Sequence, residues 1–219
     1  MLTHGTANPS ERAVKVRRLA RLLLLAVAFT LWTPAEQDAA AQDTPFRITK
    51  VASGTLWGSN FSPDGKTLAF MTAFEGVTIW DVASGKKRQT LECNANCLAF
   101  SPDNKTIALA DWHGGKDHKA PIRLADVSTG KEKFVLNGTI QHPRAVAFAP
   151  DGKTLAVLED NSDDVFLWNL ETRKVRAKLP GHRKHGVGVA FSPDGKIVAT
   201  SAARGCEIFL WDAATGRKR

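Results

Sequence analysis

A seven-residue phrase that begins with phenylalanine occurs four times in this chain. The copies are FSPDGKT at Phe61–Thr67, FSPDNKT at Phe100–Thr106, FAPDGKT at Phe148–Thr154 and FSPDGKI at Phe191–Ile197. They recur at intervals of roughly 40 to 50 residues, the size of one supersecondary unit that cannot bury its own apolar face. The repetition therefore predicts a stack of similar units, and it favours a binding scaffold over an enzyme.

Each repeat has the pattern of four short strands. An apolar run precedes the phrase, Pro-Asp-Gly forms a tight turn, and a second apolar run follows it. A third run ends in Trp or Ala followed by Asp or Asn. Its four copies are VTIWD at Val77–Asp81, IRLAD at Ile122–Asp126, VFLWN at Val165–Asn169 and IFLWD at Ile208–Asp212. Fourth strands are predicted at about Arg88–Leu91, Lys133–Leu136 and Val175–Leu179. Alternation and turn residues together predict an all-β fold.

A phenylalanine, a Ser-Pro-Asp-Gly turn and a closing Trp-Asp pair resemble the WD-repeat β-propeller family. The resemblance extends from about Phe46 to the C-terminus and implies a propeller of four-stranded antiparallel blades, at approximately 52–92, 93–137, 138–180 and 181–219. It also implies that Trp80, Trp168 and Trp211 are structural residues buried between blades. In the second repeat Ala125 takes the tryptophan position. His182, in the Gly-His pair of the fourth repeat, is the corresponding structural histidine.

The number of repeats raises the question of ring closure. About four WD-type repeats are present, whereas family propellers typically carry about seven blades. We therefore expect a partial, open propeller that self-associates through its open edges. The alternative is a closed four-bladed ring in which an extra strand, FRITKV at Phe46–Val51, completes the last blade.

The first 41 residues have the three parts of a secretory signal. The basic start contains Arg12, Lys15, Arg17, Arg18 and Arg21. Leu22–Trp32 is apolar but shorter than the roughly 20 residues that span a bilayer, and Ala39–Ala41 supplies a small-residue site before Gln42. We expect residues 1–41 to be a cleaved signal peptide and residues 42–219 to be a secreted or periplasmic domain, which meets the membrane only through the signal. An uncleaved interfacial anchor is the alternative.

The charge distribution does not indicate nucleic-acid binding. The formal net charge is +8, but no block of Lys and Arg stands out in the repeats, and the charges lie mainly in turns. A solvated surface explains this distribution, and an exported protein would not meet nucleic acid.

Three cysteines leave two interpretations open. Cys93 and Cys97 could form a disulfide if Asn94–Asn96 makes a turn, since an oxidising compartment permits one. Otherwise both are small buried thiols, the interpretation that we favour. Cys206 lies in a turn of the fourth repeat, and the three spacings fit no zinc or haem motif.

One loop carries chemically active side chains. DWHGGKDHKAP at Asp111–Pro121 joins the second and third strands of the second repeat. Asp111, His113, Asp117 and His118 are metal-ligand types, but their spacing matches no closed site, so we expect no metal and no cofactor. In a propeller this loop shares a face with His182–His185 of the fourth repeat. The predicted binding rim comprises Trp112, Lys116, His118, Lys119, Arg183, Lys184 and His185.

We found no catalytic motif of the Gly-x-Ser-x-Gly, His-Glu-x-x-His or P-loop type. The sequence therefore predicts a noncatalytic WD-repeat scaffold that binds another protein or macromolecule outside the cytoplasm. Two alternatives remain: a propeller enzyme, such as an extracytoplasmic hydrolase or oxidoreductase, and an accessory propeller whose catalytic domain lies elsewhere.

Overall fold

The computed structural model of the chain describes residues 56–72, 75–111, 121–137, 142–159, 162–181, 186–202 and 207–219. All of them belong to the compact unit Val51–Arg219. They form 15 strands, which confirms the all-β prediction. Because no described residue is helical, this part of the chain has no helix that could cross a membrane.

The strands form four antiparallel sheets, each a meander of consecutive strands. Blade 1 contains β1 (Leu56–Phe61), β2 (Thr67–Thr72), β3 (Gly76–Asp81) and β4 (Lys86–Leu91). Blade 2 contains β5 (Ala95–Phe100), β6 (Thr106–Asp111), β7 (Ile122–Asp126) and β8 (Glu132–Leu136). Blade 3 contains β9 (Pro143–Phe148), β10 (Thr154–Glu159), β11 (Asp164–Asn169) and β12 (Lys174–Pro180). Blade 4 contains β13 (Gly186–Phe191), β14 (Ile197–Ala202) and β15 (Glu207–Asp212).

The sheets are the blades of a β-propeller, and each packs on the next in chain order. The first strands β1, β5, β9 and β13 contact one another in succession, as the strands nearest a propeller axis do. Among the described strands, those of blade 1 and blade 4 share no extensive packing.

The repeated phrase forms the same hydrogen-bonded turn in the blades that carry its serine. In blade 1, Ser62 Oγ donates to Asp64 Oδ1 at 2.6 Å and accepts from Thr67 N at 2.9 Å. The glycine of the turn, Gly65, has φ 70°. In blade 2 the equivalent Asn104 adopts φ 62°, a left-handed conformation that asparagine tolerates better than most residues. The phrase is therefore a structural signature that closes the first hairpin.

A second repeated contact shows which turns share a face of the propeller. Each third strand ends in an Asp or Asn that begins the next turn. In every blade, the residue after that Asp or Asn donates its backbone N–H to the backbone carbonyl of the lysine in the repeated seven-residue phrase. The pairs are Val82–Lys66, Val127–Lys105, Leu170–Lys153 and Ala213–Lys196, with N–O distances of 2.8 to 3.0 Å. The Pro-Asp-Gly turns and the turns after the third strands therefore lie together, as the alternation of turns predicts. The connections between second and third strands lie at the opposite ends of the strands.

Three apolar clusters fill the spaces between neighbouring blades. The cluster between blades 3 and 4 contains Val165 and Leu167 from one blade and Phe209 and Trp211 from the other. In the cluster between blades 2 and 3, Trp168 packs beside Leu124 and Leu136. Each of these two tryptophans thus packs on the blade that precedes its own.

The prediction that all three tryptophans are buried between blades is correct for two of them. Trp168 and Trp211 are 3% and 1% exposed. Trp80 is only half-buried, and its indole ring stacks edge-on against Phe70 of its own blade at 6.4 Å. Trp168 and Trp211 are covered by the preceding blade, whereas the described residues contain no blade before blade 1 that could cover Trp80.

The outer edge of blade 4 is partly occupied by the end of the chain. Arg219 N donates to Leu210 O at 2.8 Å, and Trp211 pairs with Lys218. Apart from this bridge, the described part of blade 4 has three strands, β13, β14 and β15. Residues 46–51, the suggested closing strand, lie outside the described residues.

Candidate functional site

The predicted binding rim is not described by the structure. Trp112, Lys116, His118, Lys119, Arg183, Lys184 and His185 all fall outside the described residues, as do His113, Asp117 and the structural candidate His182. The strands that flank these positions are described: β6 ends at Asp111, β7 begins at Ile122, and β13 begins at Gly186. The rim stays a prediction, and the residues next to it show what this face of the propeller contains.

A polar crevice of about 670 Å³ opens between blades 1 and 2 on that face. Glu75 and the connection that contains Glu92, Cys93 and Asn94 line it, together with residues of β3, β4, β6 and β7: Gly76, Lys87, Thr90, Asp111 and Arg123. The volume is in the range of protein ligand sites, but charged and polar side chains replace the usual apolar lining. Such a lining suits a polar segment of a macromolecule better than an apolar small molecule.

An ion pair lies at the base of the crevice. Asp111 is the last residue of β6, and Arg123 lies on β7, whose main chain pairs with β6. Arg123 Nη2 donates to Asp111 Oδ2 at 2.7 Å, and the Asp111 residue is 91% buried (9% exposed). The second carboxylate oxygen of Asp111 and the Nε–H of Arg123 are also buried, and no described residue pairs with either atom.

Burial dominates the electrostatics of Asp111. Loss of hydration raises the pKa of its carboxyl group, and the charge and hydrogen bond of Arg123 oppose this effect only in part. Two buried polar atoms without partners are costly, because each has given up its water. A ligand or water that reached into the crevice could satisfy both, since one atom accepts and the other donates a hydrogen bond.

Cys93 and Cys97 are free thiols on opposite sides of blade 2. Cys93 is half-buried, lines the crevice and packs against the cluster between blades 1 and 2. Cys97 belongs to the cluster between blades 2 and 3, where burial raises its pKa to about 12. The interpretation as separate thiols is therefore the one that the structure supports. Neither is activated as a nucleophile, because burial raises the pKa of Cys93 as well.

Metal binding has no support among the described residues. Across the described ranges, no three or more His, Cys, Asp and Glu side chains come close enough together to hold an ion. Asp111, the one residue of the metal-ligand set that is described, is already paired with Arg123.

Sequence reasoning identified Asp111 but missed Arg123. A usable signal existed: Arg123 lies in the middle of a third strand, where the other blades have Thr78, Phe166 and Phe209. A charged residue in the middle of a propeller strand needs a partner, and Asp111 is the nearest acidic residue at the same end of the neighbouring strand.

Comparisons with known proteins agree with this architecture. The WD domain, G-beta repeat family matches residues 173–212, which run from the outer strand of blade 3 to the Trp-Asp pair of blade 4. The meiotic recombination protein rec14 of Schizosaccharomyces pombe is 31% identical over 108 residues, covering 48% of this chain and 34% of that protein. A WD repeat-containing protein of Synechocystis is 29% identical over 118 residues, covering 52% of this chain and 32% of that protein.

A WD repeat-containing protein of Deinococcus radiodurans is 28% identical over 145 residues, which cover 58% of this chain and 54% of that protein. The chain spans about a third of the length of the first two relatives. The fold, the family match and the relatives together identify a β-propeller that contains a WD repeat and is similar to WD-repeat proteins.

Proposed function

We propose that this chain is a noncatalytic scaffold that binds another protein through the face that contains the crevice between blades 1 and 2. The observation that carries the proposal is the buried pair Asp111–Arg123, which leaves one acceptor and one donor without partners in the described residues. WD-repeat relatives support a protein-interaction role.

The chemistry of the crevice indicates the kind of contact. Glu75 and Glu92 supply negative charge at its edges, and Lys87 supplies positive charge. A peptide segment offers both amide donors and carbonyl acceptors, and it can carry side chains of either charge. The predicted rim residues Trp112, Lys116, His118 and Lys119 immediately follow Asp111 in the chain, so they would extend the same binding surface.

The test is a binding measurement with a partner identified by cross-linking. A photoreactive amino acid at Glu92, in cells of the source organism, should cross-link a protein that can be identified and purified. The dissociation constant is then measured for the Lys87→Glu and Glu92→Lys variants, and we expect each to weaken binding at least tenfold.

The matched control is Lys66→Glu, which changes the same charge on the same blade. Lys66 lies in the Pro-Asp-Gly turn, outside the residues that line the crevice, and is exposed, as Lys87 is. Affinity should be unchanged in this variant. Equal weakening by Lys66→Glu, or unchanged affinity in both crevice variants, would refute the proposed binding face.

We also propose that the protein acts outside the cytoplasm after removal of residues 1–41. The support is the basic, apolar and small-residue order of the leader. N-terminal sequencing of the protein from fractionated cells tests this, and we expect a start near Gln42 in the exported fraction. Recovery of Met1 in a cytoplasmic fraction would contradict it.

An enzymatic role is the competing function. If turnover of simple hydrolase or oxidoreductase substrates were detected and were lost in Asp111→Asn, the noncatalytic part of the proposal would be wrong. The raised pKa of Asp111 makes this the residue to test.

Finally, we propose that the protein associates with itself through the outward faces of its first and last blades. Phe61 on blade 1 and Ile208 on blade 4 are 58% and 73% exposed. Large apolar side chains at these positions favour contact with another apolar surface.

A further inference from the structure

The third strand of each blade presents two apolar residues toward the next blade in chain order. In blade 3 these are Val165 and Leu167, both 0% exposed because blade 4 covers them. Blade 4 has Ile208 and Leu210 at the same positions, with 73% and 43% exposed. We call the side of blade 4 with Ile208 and Leu210 its forward face. It has the composition of a covered face but lies in solvent.

The opposite side of each blade packs on the blade before it. In blade 2, Phe100 and Val127 belong to the cluster with blade 1 and are 7% and 5% exposed. The equivalent residues of blade 1, Phe61 and Val82, are 58% and 43% exposed. We call the side of blade 1 with Phe61, Trp80 and Val82 its backward face. It too has the composition of an internal interface, and no blade formed by the described residues covers it.

The two open faces are complementary halves of one recurring contact. At the contact between blades 3 and 4, the forward residues Val165 and Leu167 and the backward residue Trp211 belong to one buried apolar cluster. The forward face of blade 4 therefore fits a backward face that carries a tryptophan at the end of its third strand. Blade 1 of the same chain has that tryptophan, Trp80.

We infer that two copies of this chain join head to tail, blade 4 of each against blade 1 of the other, and close an eight-bladed ring. The inference rests on the self-association proposed above and specifies its geometry. Eight blades lie within the range of known propellers. A head-to-tail contact closes into a ring when its rotation permits, and two seams that form together leave neither face exposed.

A contact between the same face of two copies would leave the other apolar face of each copy in solvent. A blade 4 to blade 4 contact would bury Ile208 against Ile208 but leave Phe61 and Trp80 in solvent. A blade 1 to blade 1 contact would leave Ile208 and Leu210 exposed. In each internal interface, the forward face of one blade packs on the backward face of the next. Only the head-to-tail arrangement gives the forward face of blade 4 and the backward face of blade 1 this same kind of contact.

The experiment measures molar mass by light scattering over a range of concentrations. The unaltered protein should have twice its monomer mass, and Ile208→Glu and Phe61→Glu should each be monomeric, because a charge at either face breaks both seams. Both positions are exposed within one copy, so folding should be retained, which circular dichroism checks. Val175→Glu changes another exposed apolar residue, 38% exposed, away from both faces, and should remain dimeric.

Mixing distinguishes the arrangements. An equimolar mixture of the two monomeric variants restores one unaltered seam, so heterodimers should appear. If Phe61→Glu alone stays dimeric, the contact is between two forward faces and the ring is wrong. If Ile208→Glu alone stays dimeric, the contact is between two backward faces, with the same consequence.

Two further results would also contradict the inference of a closed ring of two copies. Mass that grows beyond the dimer with concentration would show an open chain of copies, and a monomeric unaltered protein would refute self-association altogether. Partner binding by the crevice is measured separately in Ile208→Glu. Retained binding there, with dimerisation lost, separates the scaffold proposal from the ring.

Discussion

The indole Nε1 of Trp211 donates a hydrogen bond to Thr200 Oγ1 at 2.9 Å, whereas the Nε1 of Trp168, one blade earlier, finds no partner among the described residues. Both tryptophans are the second-last residue of a third strand and are almost completely buried. Blade 3 has Val157 at the position that Thr200 takes in blade 4, so the second strand of blade 3 offers the buried Nε1 of Trp168 no hydroxyl group there. A single residue on the second strand thus determines whether the interface tryptophan is satisfied.

We therefore expect Val157→Thr to be tolerated despite complete burial of the position. A hydroxyl group placed in a core usually costs about 1–3 kcal/mol, but here the new hydroxyl would accept the Trp168 bond and regain about 1 kcal/mol. The free energy of unfolding, measured by urea denaturation, should stay within about 1 kcal/mol of the original protein.

Val165→Thr is the control. Val165 is equally buried and lies on the side of blade 3 that packs against blade 4, away from Trp168. Its hydroxyl would meet apolar side chains, and the loss should reach about 1–3 kcal/mol. Equal losses for the two variants would show that the Trp168 Nε1 gains nothing from a hydroxyl at position 157.

A second prediction compares two tryptophans at equivalent blade positions. Trp168→Ala should lower the free energy of unfolding by about 3–5 kcal/mol, the usual cost of emptying a large buried site. Trp80→Ala should cost less, about 1–2 kcal/mol within one copy, because Trp80 is half-buried and less apolar area is exposed by its removal. Denaturation at a concentration where the protein is monomeric gives both values, and a reversed order would contradict the exposure of blade 1.

The sequence predicted the parts of the fold that local chemistry determines. The hairpin turns followed from Ser-Pro-Asp-Gly alone, and Ser62 and Asp64 make the hydrogen bonds that such a turn requires. The strand that contains Trp211 also followed from the sequence pattern. These features repeat four times, so each copy supported the others.

The sequence did not predict features that depend on the relation between blades. Trp80 is half-exposed because no described blade packs on its side of blade 1, and the sequence around Trp80 does not differ in a way that predicts this. The pair Asp111–Arg123 joins two strands whose connection is longer in sequence than that of the other repeats, so spacing alone could not reveal it. The predicted rim residues beyond Asp111 lie outside the described residues and stay a prediction.

A third prediction concerns acid stability. Hydrogen bonds from Ser84, followed by the bond from Arg88, lower the pKa of Asp81 to about 2, and bonds from Thr215 and Arg219 lower that of Asp212 to about 2. Both values lie below the ordinary value of 3.8, so the folded state favours the ionised form. The resulting stabilisation is present above pH 3.8 and is lost as the pH falls toward 2.

The double variant Asp81→Asn, Asp212→Asn should therefore lose less stability than the original protein between these pH values. Urea denaturation at a series of acidic pH values measures the slope. Asp163→Asn, which removes an exposed carboxylate, should leave the slope unchanged. An unchanged slope in the double variant would mean that these turns do not contribute to acid unfolding.

The last prediction concerns the interface between blades 1 and 2, where Ala125 takes the place of the tryptophans in the other blades. A cleft of about 200 Å³ lies beside it, lined in part by Leu91, Leu109 and Gly130. Fewer side-chain atoms fill this interface, so blade 2 should separate from blade 1 at a lower free energy than blade 4 separates from blade 3. Hydrogen exchange should show the amides of β7 exchanging before those of β11 and β15.

Filling the cleft supplies the reciprocal test. Ala125→Leu adds apolar atoms toward Leu91 and Leu109, and it should slow exchange in β7 while leaving β15 unchanged, provided that the cleft accepts the side chain without strain. Thermal denaturation reports strain independently, as a lowered midpoint. If β7 exchanges more slowly than β11 and β15 in the original protein, the alanine does not weaken the interface between blades 1 and 2.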